Sequence, residues 1–204
     1  HSLTACDGLT FMSRNQWKAR SRKANDPPQR LPTPVSHVFI HHTVTPDQCH
    51  NQAAYVAAVR SMQDFHMDNR NWSDIGYNFL MGGDGRIYEA RGWYTVRAHT
   101  LGMNDKSVNL ALMGNYESVA PPKKMLDLAQ KWVECAVEKG VVSGLYQLHG
   151  HRDQTCTSSP GQAFYDIIKS WKYFKGGPLD TYIHNTNLQM PGNYARDKLS
   201  GGRQ

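Results

Sequence analysis

The sequence has no run of ~18 or more apolar residues, so no segment is expected to cross a bilayer. Cysteine is scarce, with four in 204 residues. No two of them form a CxxC pair, which argues against a zinc ribbon or a dithiol redox motif. No internal repeat is visible. Neither sign of charge dominates: 23 Lys and Arg against 17 Asp and Glu give +6. That excess helps any anionic polymer approach and selects none; a nucleic-acid or anionic-surface partner would rest only on it and a few basic clusters, and no nucleic acid is expected. No basic leader with an apolar stretch opens the chain, as expected of a secreted protein whose signal peptide has been removed.

What is present fits one domain, or one domain with a tail, since 39% of the residues are apolar. The cysteines, Cys6, Cys49, Cys135 and Cys156, are even in number and widely spread. Two disulfides in a secreted, extracellular protein is the preferred reading, with buried reduced thiols as the alternative.

Residues 1–34 lack periodicity, carry Pro27, Pro28, Pro32 and Pro34 and a basic cluster from Lys18 to Lys23, and are expected to form an extended arm packed on the domain. Val35 to His42 is an almost continuous apolar run, as for a strand buried on both faces. Asn51 to Met67 has helical spacing with one apolar side. Asn78–Met81 and Arg86–Ala90, joined by Gly82, Gly83, Asp84 and Gly85, predict a hairpin. Val108–Met113 and Leu145–His149 predict further strands. A helix is expected from Pro122 to Gly140, burying Met125, Leu128, Ala129, Trp132, Cys135 and Ala136, and a last one around Phe164, Ile167, Ile168 and Trp171. The fold class is therefore α/β, a central mixed sheet flanked by three helices over residues 35–175. Residues 176–204 are expected to be a flexible tail.

Two histidine sites end predicted strands, His41-His42 and His149-Gly150-His151, where a sheet presents functional groups. Adjacent strand residues face opposite ways, so only one of His41 and His42 can enter a given cleft. Two neutral imidazoles could hold Zn²⁺, but a catalytic site of that kind has a third protein ligand and an open position for water. By chemistry Asp153 and Cys156 are the candidates in the following loop.

Phe39–Thr43, Trp72–Phe79, Gly83-Asp84-Gly85, Ile87–Trp93, Ala98-His99-Thr100, Gly114-Asn115 and Gly150-His151-Arg152 through Ser159-Pro160-Gly161 resemble, in order, the motifs of peptidoglycan recognition proteins. The match runs from about residue 8 to 174 and includes Arg14–Trp17. The resemblance implies a fold homologous to type 2 N-acetylmuramoyl-L-alanine amidases and a groove for the peptide stem of peptidoglycan. In enzymatic members, zinc is held by histidines matching His41 and His151 and by a cysteine at the place of Ser159. A tyrosine matching Tyr77 and a threonine or lysine matching Thr157 assist the attacking water. A neutral hydroxyl is a poor substitute for a thiolate, because charge and softness are both lost. Non-catalytic members carry Ser-Pro-Gly here, as this chain does.

The expectation is therefore a secreted, innate-immune pattern-recognition protein that binds bacterial muramyl peptides without hydrolysing them, with no cofactor and no metal. The alternative is a zinc amidase with His41, His151 and either Ser159 or Cys156 in the third place. By resemblance, His41, His66, Arg70, Asn71, Trp72, Tyr77, His99 and His151 line the groove. The resemblance also implies a disulfide between Cys6 and Cys135. Cys49 then has Cys156 for a partner, or both stay free. The resemblance further implies that Asn71, as in Asn-Phe members, goes with stems bearing lysine and Trp72, as in Gly-Trp members, with stems bearing diaminopimelic acid; near the place of the arginine by which diaminopimelic-type members bind the extra carboxylate stand Asp105, which would disfavour a carboxylate, and Lys106, which would favour it. The weak lean is to lysine. No signalling partner is identified.

Overall fold

The computed structural model describes residues 4–47, 51–98 and 100–184. Six strands form one mixed sheet: β1 (Thr10–Met12), β2 (Val35–His42), β3 (Phe79–Met81), β4 (Arg86–Glu89), β5 (Ser107–Leu112) and β6 (Val142–Gly150), in the order β1-β4-β3-β5-β2-β6. Only the β3–β4 hairpin is antiparallel. The other pairings are parallel, which is why the strands read as continuous apolar runs instead of alternating ones. Three helices flank the sheet: α1 (Gln52–Asp64), α2 (Lys123–Glu138) and α3 (Gln162–Ile168).

The sheet separates two cores. Val38 and Ile40 join Trp132, Phe164 and Ile168 on the face covered by α2 and α3. On the opposite face Tyr55 and Val59 of α1 pack with Leu80, Tyr88 and Ala111. Trp17, fully buried, brings the amino-terminal arm into this second core and donates its indole N–H to Glu89 O at 2.8 Å.

The arm is more than a surface strap, because β1 within it extends the sheet in parallel with β4. Cys6 and Cys135 are disulfide-bonded, tying the arm to α2 across 129 residues of sequence. A loop of that length corresponds to ~5 kcal/mol in the chain-entropy account. The expected Cys49–Cys156 bridge is not formed: Cys156 is a free, exposed thiol, and Cys49 lies outside the described residues. Instead of turning toward a partner thiol, Thr155 and Cys156 pair with Ile183, whose carbonyl accepts from Cys156 N–H at 3.3 Å.

That pairing also corrects the start of the tail. Residues 176–184 lie against the domain, with Leu179 N–H on Asp153 O, Ile183 N–H on Gln154 O and the Gln154 side chain bonded to Thr181. The segment lacks apolar periodicity because backbone pairing, not side-chain burial, holds it. The rest of the expected tail, 185–204, lies outside the described residues.

Candidate functional site

At the end of β2 the alternation of a strand assigns its two histidines opposite roles. His41 turns to the α1 side, where its ring lies 5.7 Å from that of Tyr77 and 4.1 Å from that of His151. His42 turns the other way and accepts Tyr116 N–H at Nδ1, 3.2 Å. Burial pushes His42 down to about 4, so it is neutral and belongs to the core of the opposite face.

From His151 a row of rings runs across the α1 face. It continues through His41 and Tyr77 to His66, 5.7 Å from Tyr77, and to Trp72, 4.8 Å from His66. The row ends at Arg70, whose guanidinium lies 5.2 Å from the Trp72 ring and 5.4 Å from Phe65. Six of the predicted groove residues, His41, His66, Arg70, Trp72, Tyr77 and His151, thus belong to one continuous feature, and Asn71 stands in the chain between two of them. His99 lies outside the described residues.

The turn presenting this row departs from the helix the sequence predicts to Met67. α1 ends at Asp64 and widens into a π turn, Phe65–Asn69. Such widenings are frequent at functional sites. Here it turns His66 inward, where Nδ1 accepts Gly76 N–H at 2.9 Å, while Trp72 N–H returns to His66 O at 2.9 Å. His66 is therefore a groove residue and a loop anchor at once. Tyr77 is buried, which pushes its hydroxyl well above the ordinary phenol range, with Arg70 the cation opposing that shift. It stays a neutral donor.

Asn109 and Thr100 complete the site, and neither stands out in the sequence as a site residue. Asn109 Oδ1 accepts Asn78 N–H at 2.8 Å, which fixes the amide and leaves Nδ2 to donate to His41 Nε2 at 3.2 Å. An amide nitrogen cannot accept, so His41 Nε2 is an acceptor and the ring proton sits on Nδ1. Thr100 Oγ1 lies 3.2 Å from the same Nε2. The sequence signal was a lone amide in an otherwise apolar strand, the kind of buried polar group that always has an assignment.

These residues do not fit a bound zinc ion. Ser159, at the expected third place, accepts His42 N–H at Oγ, 3.2 Å, and offers a neutral hydroxyl where a thiolate would be needed. A metal-binding imidazole donates its other N–H to an acceptor, whereas His41 receives a donor from Asn109. Cys156 is not brought to the two histidines either, and among the described residues no three of His, Cys, Asp and Glu stand together as a metal site. Thr157 spends its hydroxyl on Ser159 N–H at 3.3 Å.

Comparison with known proteins gives the same lineage. The family N-acetylmuramoyl-L-alanine amidase matches residues 31–162. The chain is 38% identical over 169 residues to peptidoglycan-recognition protein 2 of Holotrichia diomphalia, covering 83% of this chain and 88% of that one. It is 43% identical over 144 residues to a peptidoglycan recognition protein of Trichoplusia ni, covering 71% and 79%. Among solved structures it resembles peptidoglycan recognition protein-LE in complex with tracheal cytotoxin, a monomeric diaminopimelic acid-type peptidoglycan, with TM-score 0.79, 38% identity and coverage of 82% and 96%.

Proposed function

Since the chain belongs to the peptidoglycan recognition protein family, we propose that it is a secreted innate-immune receptor whose ring-lined groove binds the muramyl-peptide stem of bacterial peptidoglycan without hydrolysing it. The groove is suited to such a ligand. Trp72 and Tyr77 offer flat apolar faces for the methylene and methyl parts of a peptide, and the imidazoles and Arg70 offer hydrogen bonds to its amides and carboxylates.

The observation that carries the reading without hydrolysis is the neutral Ser159 hydroxyl, accepting the His42 backbone N–H, at the place where a zinc site would need a thiolate. In an amidase of this fold a zinc ion would polarise the scissile carbonyl and activate water. This chain's residues instead hold protons in place. Asn109 fixes His41 as an Nε2 acceptor, and Tyr77 remains a neutral donor. Both are binding roles that consume no substrate.

The test is zinc content together with release of peptide stems from purified cell wall, measured on the protein and on Ser159→Cys. Binding to the wall with no stem release and no stoichiometric zinc supports the receptor. Zinc at one per chain with turnover in the unmodified protein would replace it with the amidase reading. Failure to bind any peptidoglycan would remove both.

A further inference from the structure

Residues 179–183 lie against the turn that follows β6, and one buried amide carries their hold across to the groove. Leu179 N–H donates to Asp153 O at 3.1 Å and Ile183 N–H to Gln154 O at 2.9 Å, while Ile183 O accepts Cys156 N–H at 3.3 Å. Just before them the approach is so close that a Cβ at Gly177 would stand 2.6 Å from Asp153 O. Gln154 is fully buried beneath this segment, and both polar atoms of its amide are engaged. Nε2 donates to Thr181 O at 2.8 Å and to Leu101 O, 53 residues away in sequence, at 3.0 Å, and Oε1 accepts the Thr181 hydroxyl at 3.1 Å. A carbonyl can only accept, so the atom facing both carbonyls is the nitrogen and the amide has one orientation.

Leu101 belongs to the wall that brings Thr100 to His41, with Thr100 Oγ1 3.2 Å from His41 Nε2. On its inner side that wall is held by the buried guanidinium of Arg97, which donates to Asn104 Oδ1 at 3.2 Å and to the Ser107 hydroxyl. Asn104 Oδ1 also accepts Thr100 N–H at 2.8 Å. These bonds fix Thr100, Asn104 and Ser107, and the Leu101 carbonyl is left to Gln154. Gly102, at φ 82°, keeps that approach open, since a Cβ there would come within 3.1 Å of Gln154 Nε2. Arg97 thus holds the wall from one side, and Gln154, itself held by Thr181, holds it from the other. The His149–Gly176 contact fastens the other end of the segment, and the bonds of 179–183 do not pass through it.

We propose that residues 179–183 are a brace for the groove and that Gln154 is the positioning residue through which they hold the Thr100–Asn104 wall, so that affinity for a muramyl peptide depends on a segment that supplies none of the groove residues. The inference rests on the groove being a muramyl-peptide site. A wall already held in its bound position has less freedom to lose when ligand arrives, so loosening it weakens binding without removing a contact.

The experiment makes two measurements on the full chain: titration with a soluble muramyl tripeptide well below the melting temperature, and amide hydrogen exchange over residues 100–106 without ligand. It compares the protein with Gln154→Met, which keeps the length of the side chain and removes its donors and acceptor, with Thr181→Val, which removes only the hydroxyl, and with Tyr165→Phe. Tyr165 donates to Asp153 Oδ1 at 2.7 Å beside the same turn, so its variant loses a neighbouring hydrogen bond and leaves the Gln154 amide intact. Gln154→Met is expected to weaken binding about tenfold and Thr181→Val about threefold, with faster exchange over 100–106 in both. Tyr165→Phe should stay within about twofold and leave that exchange unchanged. If Gln154→Met does not fold, Thr181→Val decides alone. Unchanged affinity or unchanged exchange in the folded variants of Gln154 and Thr181 overturns the proposal, and so does equal weakening in Tyr165→Phe, which would make the effect one of general stability. Binding of no tripeptide by the unmodified protein would instead remove the muramyl-peptide reading, and the exchange comparison would still decide whether the brace holds the wall.

Discussion

Two pairs of imidazoles join β2 to β6 and to the turn that follows it, and they are built differently. His37 of β2 meets His149 near the end of β6, rings 5.1 Å apart, and His41 at the end of β2 meets His151 just past β6, 4.1 Å apart. Phe39 lies between them, stacked on His149 at 5.0 Å. In the inner pair both hydrogen bonds stay within the protein: His37 Nδ1 to His149 Nε2 at 2.9 Å, and His149 Nδ1 to Gly176 O at 2.9 Å. Because a carbonyl can only accept, His149 carries its proton on Nδ1 and its Nε2 accepts from His37. The inner pair is a structural relay that locks the 176–184 segment onto the sheet. The outer pair borders the groove and takes its polarity from Asn109 and Thr100. Identical residue types a few residues apart therefore separate into a latch and a binding surface by what meets their second nitrogen.

The harshest test of that division is His149→Ala. It empties a fully buried site and leaves His37 Nδ1 and Gly176 O without their partner, so it should destabilise the fold by about 3 kcal/mol in urea unfolding. His151→Ala, at the groove, should cost no more than about 1 kcal/mol. Equal losses in the two variants would abolish the distinction.

Acid should act on the latch next. Burial, with Lys106 adding repulsion, pushes His37 down from about 6.5 to about 4, and burial also lowers His149, with Lys175 opposing its charge and the Gly176 carbonyl favouring it. Between those values the unfolded chain binds protons that the folded chain excludes. Stability is thus complete above about pH 6.5 and is lost as pH falls toward 4. After allowing for the solvent that reaches half-buried His37, the loss should be about 2 kcal/mol. His42 titrates in the same window, so the informative quantity is the difference between the protein and His37→Asn, measured by urea unfolding at pH 7 and pH 4.5. A His37→Asn variant with the same acid loss would detach the effect from the inner pair.

How much of this the sequence carried follows from the range of each interaction. The strand Val35–His42, the hairpin and the apolar face of α2 were legible because period and turn residues are local signals. The site histidines were legible from strand ends and motif order, and alternation correctly required His41 and His42 to part. The inner pair, Gln154 and the docked 176–184 segment were not. His37 meets His149 across 112 residues, Gln154 meets Leu101 across 53, and Gly176 meets His149 across 27 through a backbone carbonyl that any residue could supply. The π turn was hidden for another reason: it keeps helical spacing up to the residue where it widens.

At the outer pair the effect should pass from stability to affinity. His151→Ala is expected to weaken muramyl-peptide binding about tenfold, near 1.4 kcal/mol, while His149→Ala, studied well below its lowered melting temperature, leaves it within about twofold. Isothermal titration of both variants with one ligand separates the roles. A tenfold loss in His149→Ala would mean that the latch and the groove are one unit.

The smallest effect belongs to Thr100→Val, which is close to isosteric and removes only the hydroxyl beside His41 Nε2. Asn109 still donates to that nitrogen, so no buried acceptor is left without a partner, and the stability change should stay below about 1 kcal/mol. Asn109→Leu removes the donor that fixes the tautomer. His41 is then free to place its proton on Nε2 and donate it to Thr100, an arrangement the native amide forbids. The two substitutions touch one nitrogen yet should differ in kind, and the imidazole ¹⁵N shifts of His41 report which nitrogen carries the proton. An unchanged tautomer in Asn109→Leu would show that the strand amide does not set the polarity of the outer pair, and that its difference from the inner pair comes from position alone.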